Sequence, residues 1–254
     1  MNGGVEGQAL MLGDAQVAAF VRDGFVALDA LTDGAEIESL RGLYDELFRR
    51  AGGFAAGDRL ELVAGTERSL LPQIVNPERY APQLVAGLAY RNAQRVARQL
   101  LGETFEPAGN HAIMKPAGHG AATPWHQDEA YWDPQREHHA ISIWMPLQAA
   151  TLANGCMQFL AGSHRGPVLQ HELISADAHG LRLAQPLPAG VTVACELPPG
   201  GATIHDGRTL HHAGANSSTE PRRALVFGFR TPSVLLREAH RYPWQRPEWF
   251  ADPA

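Results

Sequence analysis

The chain has 254 residues, 44% of them hydrophobic and 19% charged, enough to bury a full core in one large domain or two small ones. Its 21 basic and 27 acidic residues give a net charge of −6, and no Lys/Arg-rich run offers the basic face that a nucleic acid needs, which argues against such a partner. No apolar run reaches the roughly 18 residues of a membrane-spanning helix; the stretch Met1 to Glu6 lacks a signal peptide's basic flank, and Cys156 and Cys195 cannot make a disulfide framework. A cytoplasmic protein with two buried thiols is the expectation.

In chain order, Asp14 is placed to cap a helix over Ala15 to Arg22, with Val17, Phe20 and Val21 on one face and Gly24 as its stop. Phe25 to Leu28 reads as a short strand. Apolar Ile37, Leu40, Leu43, Leu47 and Phe48 recur at helical spacing, predicting a helix over roughly Ala35 to Ala51 that ends at Gly52-Gly53. Residues 54–75 have no clear period and contain Pro72, which reads as a loop or lid. Asn76-Pro77 marks a turn, and a helix is expected from about Pro82 to Leu101, with Gly102 as its stop.

From His111 the period changes. Ala112 to Met114, Ala140 to Leu147, Met157 to Leu160, Val191 to Leu197, Ala202 to His205 and Arg223 to Arg230 read as short strands, most of them separated by Gly/Pro turns. The fold class expected is mainly β, a jelly roll with N-terminal helices packed on one side. One domain over 1–254 is expected: a mostly helical part with the lid over 1–110, a jelly-roll core over 111–230 and a tail over 231–254.

The chemistry concentrates in the second half. All 12 histidines fall between His111 and His240, and Lys115 is the one lysine beside 20 arginines. In Trp125-His126-Gln127-Asp128 the imidazole and the carboxylate are two residues apart, so an extended chain turns both to one face. The segment Ile204-His205-Asp206-Gly207-Arg208-Thr209-Leu210-His211-His212 offers a second imidazole. Two His and one carboxylate make the facial triad of non-haem Fe(II) oxygenases, with three adjacent positions open. Downstream, Arg222-Arg223 offers a cation that can grip a distant carboxylate bidentately, although alternation lets only one of the pair face inward.

These stretches resemble the phytanoyl-CoA dioxygenase family of Fe(II)/2-oxoglutarate-dependent oxygenases over most of the chain. The resemblance is carried by Phe20 to Val26, Met114-Lys115-Pro116, Trp125 to Asp128, Asn154 to Met157, Gly162-Ser163-His164, Thr209-Leu210-His211 with Asn216, and Arg222 to Leu225. It implies a double-stranded β-helix, Fe(II), O2, and 2-oxoglutarate as co-substrate. It implies iron ligation by His126, Asp128 and His211, with His211 favoured over His212 and His205 by its motif register. It places Arg222 on the distal carboxylate of 2-oxoglutarate, with Arg223 as the competing choice, and Lys115 near that co-substrate. The activity implied is hydroxylation of an unactivated C–H of a small molecule, releasing succinate and CO2. Desaturation, epoxidation or ring formation would use the same triad, whereas halogenation requires a small residue where Asp128 stands. A non-catalytic metal-binding jelly roll is the rival from another class; structural zinc, however, usually has four protein ligands, often cysteine.

Other residues have plainer readings. Gln127 points away from the triad, and His138, His139, His171, His179 and His240 read as solvated. Trp144 and Phe229 read as core, and Trp244 and Trp249 as packing the tail onto the body. Trp125, Tyr131 and Trp132 divide evenly between substrate pocket and rim packing, and Gln73 is a candidate for substrate contact from the lid.

Overall fold

Alternation is what builds the body. In the computed structural model, which describes residues 10–63, 69–175 and 179–246, three helices, short 3-10 turns and fifteen strands follow one another. The helices are α1 (Asp14–Asp23), α2 (Gly34–Arg50) and α3 (Leu88–Leu101). The first strands are β1 (Phe25–Leu28), β2 (Arg59–Glu61), β3 (Pro72–Val75), β4 (Glu106–Lys115), β5 (Thr123–His126), β6 (Arg136–Glu137) and β7 (Ala140–Pro146). They continue with β8 (Met157–Leu160), β9 (His171–Leu173), β10 (Leu181–Leu183) and β11 (Thr192–Cys195). The last are β12 (Ala202–Asp206), β13 (His211–Ala213), β14 (Arg222–Arg230) and β15 (Val234–Leu235).

A seven-stranded antiparallel sheet in the order β1-β12-β7-β14-β4-β3-β2 faces a four-stranded one in the order β11-β8-β13-β5. The side chains of β14 alternate between two cores. Leu225, Phe227 and Phe229 join Ile37, Leu40, Tyr44 and Leu47 of α2 and Tyr90, Ala93 and Val96 of α3 on the outer face. Ala224 and Val226 turn inward with Trp144, toward Phe159 of the smaller sheet, where Phe25 stacks on Phe159 at 4.5 Å. This is the expected double-stranded β-helix with helices on one side. Each fully buried aliphatic or aromatic side chain is worth about 1.5–3 kcal/mol over exposure, so the helical layer holds the larger sheet flat against its partner.

Three expectations need correcting. Residues 54–75 hold two strands, β2 and β3, that extend the larger sheet beyond β4. They are three and four residues long, too short for a period to show, and Pro72 is tolerated because it opens its strand. The third helix begins at Leu88, after a 3-10 turn at Pro82–Val85. Its free N-terminal amides are satisfied by the Glu36 carboxylate of α2, which accepts from Leu88 N at 2.6 Å and Ala89 N at 2.8 Å. A Cβ at Gly87 would meet that carboxylate and displace it from the amides it caps. The first helix starts one residue early, capped by Gly13 rather than Asp14, and its Val21 is exposed. Gly24 at φ 84° ends it as expected.

Candidate metal centre

The smaller sheet brings two imidazoles together. His126 ends β5 and His211 opens β13, and the two are directly opposed in the ladder with ring centroids 4.1 Å apart. Gln127 is extended at φ −120° and ψ 134°, so Asp128 returns to the face of His126. Gln127 itself points the other way, fully buried, accepting from Leu169 N and donating to Arg208 O, both at 2.8 Å. Ligand atoms of His126, Asp128 and His211 lie within 4.8 Å of one another. Asp128 Oδ1 stands 3.7 Å from His126 Nε2 and 3.4 Å from His211 Nε2.

Each of these two histidines is locked by its own backbone. His126 Nδ1 donates to Pro124 O at 2.8 Å and His211 Nδ1 to Thr209 O at 2.9 Å, which leaves both Nε2 lone pairs aimed at the centre. Burial first, and the His211 charge second, push His126 down to about 3. Burial works against His211 as well, but the adjacent Asp128 outweighs it and raises that imidazole. Burial would raise Asp128, yet the charge of His211 and the hydrogen bonds of His205 and His211 hold it well below the usual carboxylate range. A carboxylate between two oriented imidazoles is a set of groups that could hold a divalent cation.

The larger sheet supplies the rest from its inner face. Ser142 of β7 donates from Oγ to Asp128 Oδ2 at 2.7 Å, and His205 of β12 lies with Nε2 3.3 Å from the same oxygen. On β14, Arg222 is 1% exposed, lies over the Trp144 ring at 5.3 Å, and leaves Nε and Nη1 without a partner. Arg223, the next residue, faces outward and forms a fork with Asp45 of α2 at 2.6 and 3.0 Å. Opposite Arg222 in the ladder, Lys115 is fully buried and donates to Ala121 O, Thr123 Oγ1 and Ala213 O. Burial, then Arg222, pushes Lys115 down to about 6, and burial pushes Arg222 down to about 10. Among the described residues no carboxylate pairs with either cation. An unpaired buried charge costs several kcal/mol, so unmatched guanidinium donors mark where an anionic group would bind.

A cavity of about 600 Å³ joins these groups, its wall reaching from Arg222 and the triad to Leu71 and Leu181. Of the expected substrate contacts, Gln73, Tyr131 and Trp132 line it. Trp125 does not line it and is stacked on His212 at 5.3 Å. Lys115 is behind the cavity wall rather than on it, held away by its three backbone and hydroxyl acceptors. His138 and His171, expected to be solvated, are buried: the first bonds Asp133 O, and the second accepts from Gln127 N at 3.2 Å. Trp244 packs the tail as expected, donating to Ala130 O at 3.0 Å, while Trp249 lies outside the described residues. Ser142, His111 and the role of His205 escaped the sequence reading. The one signal for Ser142 is a hydroxyl in the otherwise apolar run Ala140 to Pro146.

Comparison with known proteins agrees with this geometry. The family model for phytanoyl-CoA dioxygenase matches residues 20–224. The crystal structure of EvdO2 from Micromonospora carbonacea var. aurantiaca, complexed with 2-oxoglutarate, is similar with a TM-score of 0.81 and 35% identity, covering 94% of this chain and 99% of that one. A probable alpha-ketoglutarate-dependent hypophosphite dioxygenase of Stutzerimonas stutzeri is 26% identical over 84% of this chain and 77% of its own. The ectoine dioxygenase of Halomonas elongata is 27% identical over 94% of this chain and 76% of its own.

Proposed function

The chain belongs to the phytanoyl-CoA dioxygenase family of Fe(II)/2-oxoglutarate-dependent oxygenases, and on that premise we propose that it hydroxylates an unactivated C–H bond of an uncharged small molecule. In this reading His126, Asp128 and His211 hold the iron, and Arg222 holds the distal carboxylate of 2-oxoglutarate. The observation that carries it is one cavity with two oriented Nε2 atoms and a carboxylate at one point of its wall and an unpartnered guanidinium at another. When bound, Fe(II) with 2-oxoglutarate and O2 supplies the oxidising power, the oxo acid leaving as succinate and CO2.

The residues do the positioning. His126, Asp128 and His211 would hold the metal from one side, leaving the cavity side open to co-substrate. Arg222 offers donors with no competing acceptor, in a site dry enough to make a charge-assisted bond strong. Lys115, three-bonded behind the wall, makes no direct contact with the cavity. Asp128 fills the position that halogenation needs vacant, which favours hydroxyl transfer.

For the primary substrate, Asp128 and Arg222 are the only formally charged residues among the described residues of the cavity wall. Both are taken by iron and co-substrate, so the remainder suits an uncharged molecule with a largely apolar body. Gln73 and His111, hydrogen-bonded to each other across β3 and β4, are the polar contact for it. With no basic cradle for phosphates among the described residues of the wall, a free small molecule is favoured over an acyl-CoA. The proposal includes one catalytic domain over 1–254, a cytoplasmic location and no nucleic-acid or membrane partner. Its supports are the net charge of −6 and, among the described residues, no helix long and apolar enough to cross a membrane.

The test is succinate formation from 2-oxoglutarate under air with Fe(II) and ascorbate, with and without a panel of neutral and charged small molecules. Iron-dependent succinate, stimulated by a neutral compound that gains one oxygen atom, supports the proposal. Stimulation confined to charged compounds would refute the substrate reading, and desaturated or cyclised product the hydroxylation.

A further inference from the structure

The two oxygens of Asp128 have different surroundings. Oδ1 faces His126 Nε2 and His211 Nε2, whereas Oδ2 receives Ser142 Oγ at 2.7 Å and meets His205 Nε2 at 3.3 Å. Three histidines crowd this carboxylate, and their protons divide them. His126 and His211 spend Nδ1–H on their own backbone, so Nε2 is the atom each can offer a metal. His205 has no partner at Nδ1, and its buried Nε2 meets an ionised oxygen; only the tautomer with the proton on Nε2 makes that contact favourable. His205 is thus a donor where the other two are ligands, although its ring centroid is 4.4 Å from that of His211.

The larger sheet builds this arrangement. Ser142 and His205 are directly paired across β7 and β12, on the sheet's inner face. A hydroxyl and an imidazole in register therefore present two donors to one oxygen. His205 is 2% exposed and packs against Phe159, whose ring centroid is 5.3 Å away, so the donor is fixed in position.

We propose that Ser142 and His205 are positioning residues that hold Asp128 Oδ2 so that the carboxylate gives the metal one oxygen, Oδ1. This inference rests on the metal-binding reading of the triad. With Oδ2 occupied, the carboxylate cannot close over a second coordination position, and that position stays available to co-substrate. The two donors also fix the carboxylate rotamer before the metal arrives, the part that outer partners play for metal ligands in general.

The experiment is equilibrium binding of Mn(II), followed by the loss of its free-ion electron paramagnetic resonance signal, in the full-length protein and three variants. Ser142→Ala, nearly isosteric, and His205→Leu are each expected to weaken Mn(II) binding about 10- to 100-fold. His205→Gln, which can restore an amide donor near the Nε2 position, should recover most of the loss. A merely structural role would lower the melting temperature without that recovery. Mn(II) affinities of folded Ser142→Ala and His205→Leu equal to that of the unaltered protein would overturn the inference. Failure of the unaltered protein itself to bind Mn(II) would instead overturn the metal-binding reading on which it rests.

Discussion

The two faces of the larger sheet are built from the same strands, yet their polar groups fare differently. On the outer face Arg223 finds Asp45, and the buried polar atoms left without a partner there, Tyr44 Oη and Asn110 Oδ1, are neutral. On the inner face, one residue away, Arg222 leaves two guanidinium nitrogens unmatched, and His205 Nδ1 and Thr203 Oγ1 also have no partner. The outer face pairs its arginine within the folded chain. The inner face carries a cost that a ligand would relieve, and such a cost collects where function is placed.

Substitutions on the two faces should have unequal effects. The largest effect is expected at the carboxylate between the imidazoles. Asp128→Ala should lose Mn(II) or Fe(II) binding by more than about 100-fold, exceeding the usual range for an outer partner, and iron-dependent succinate formation should vanish with it. Next is Arg222→Met. Losing one partner of a buried charge pair costs about 2–5 kcal/mol, so 2-oxoglutarate affinity should drop by roughly 30-fold or more. In the ligand-free protein the same variant should be more stable, by about 1–4 kcal/mol, because it removes an unpaired buried cation. Paired calorimetric and thermal unfolding runs would show the two opposite signs.

Lys115 gives a smaller effect with a definite pH signature. Its folded value lies near 6, below the 10.5 of the exposed side chain, because burial and then Arg222 disfavour the ammonium. Between those values the unfolded chain holds the extra proton, so this group makes stability rise with pH from about 6 toward 10.5 and contributes a penalty below that window. Lys115→Met should flatten that part of the stability–pH curve, measured by chemical denaturation. The smallest effect belongs to Arg223→Ala, whose partly exposed ion pair is worth at most about 1 kcal/mol. Its 2-oxoglutarate affinity should stay that of the unaltered protein.

How far the sequence carried the reading depended on the range of the signal. Local signals worked: the helical spacing of Ile37, Leu40 and Leu47, the stop at Gly24, and the His126/Asp128 pair on an extended segment. Alternation reduced Arg222 and Arg223 to a single inward residue, and the strand register resolves which it is. Long-range contacts were out of reach. The amides that open α3 are capped by Glu36, 52 residues away in the nearer case, and His205 reaches Asp128 across 77 residues. Edge strands of three or four residues, such as β2 and β3, leave too short a pattern to separate from a loop. Resemblance places Lys115 near the co-substrate, and the three acceptors that hold it behind the wall are invisible in a linear pattern.

The most direct test of the central claim is an anaerobic titration of the Fe(II)-loaded protein with 2-oxoglutarate, comparing the unaltered chain with Arg222→Met and Arg223→Met. Binding should be saturable, weaken roughly 30-fold or more in Arg222→Met and be unchanged in Arg223→Met. Equal affinities in all three proteins, or a loss confined to Arg223→Met, would contradict it.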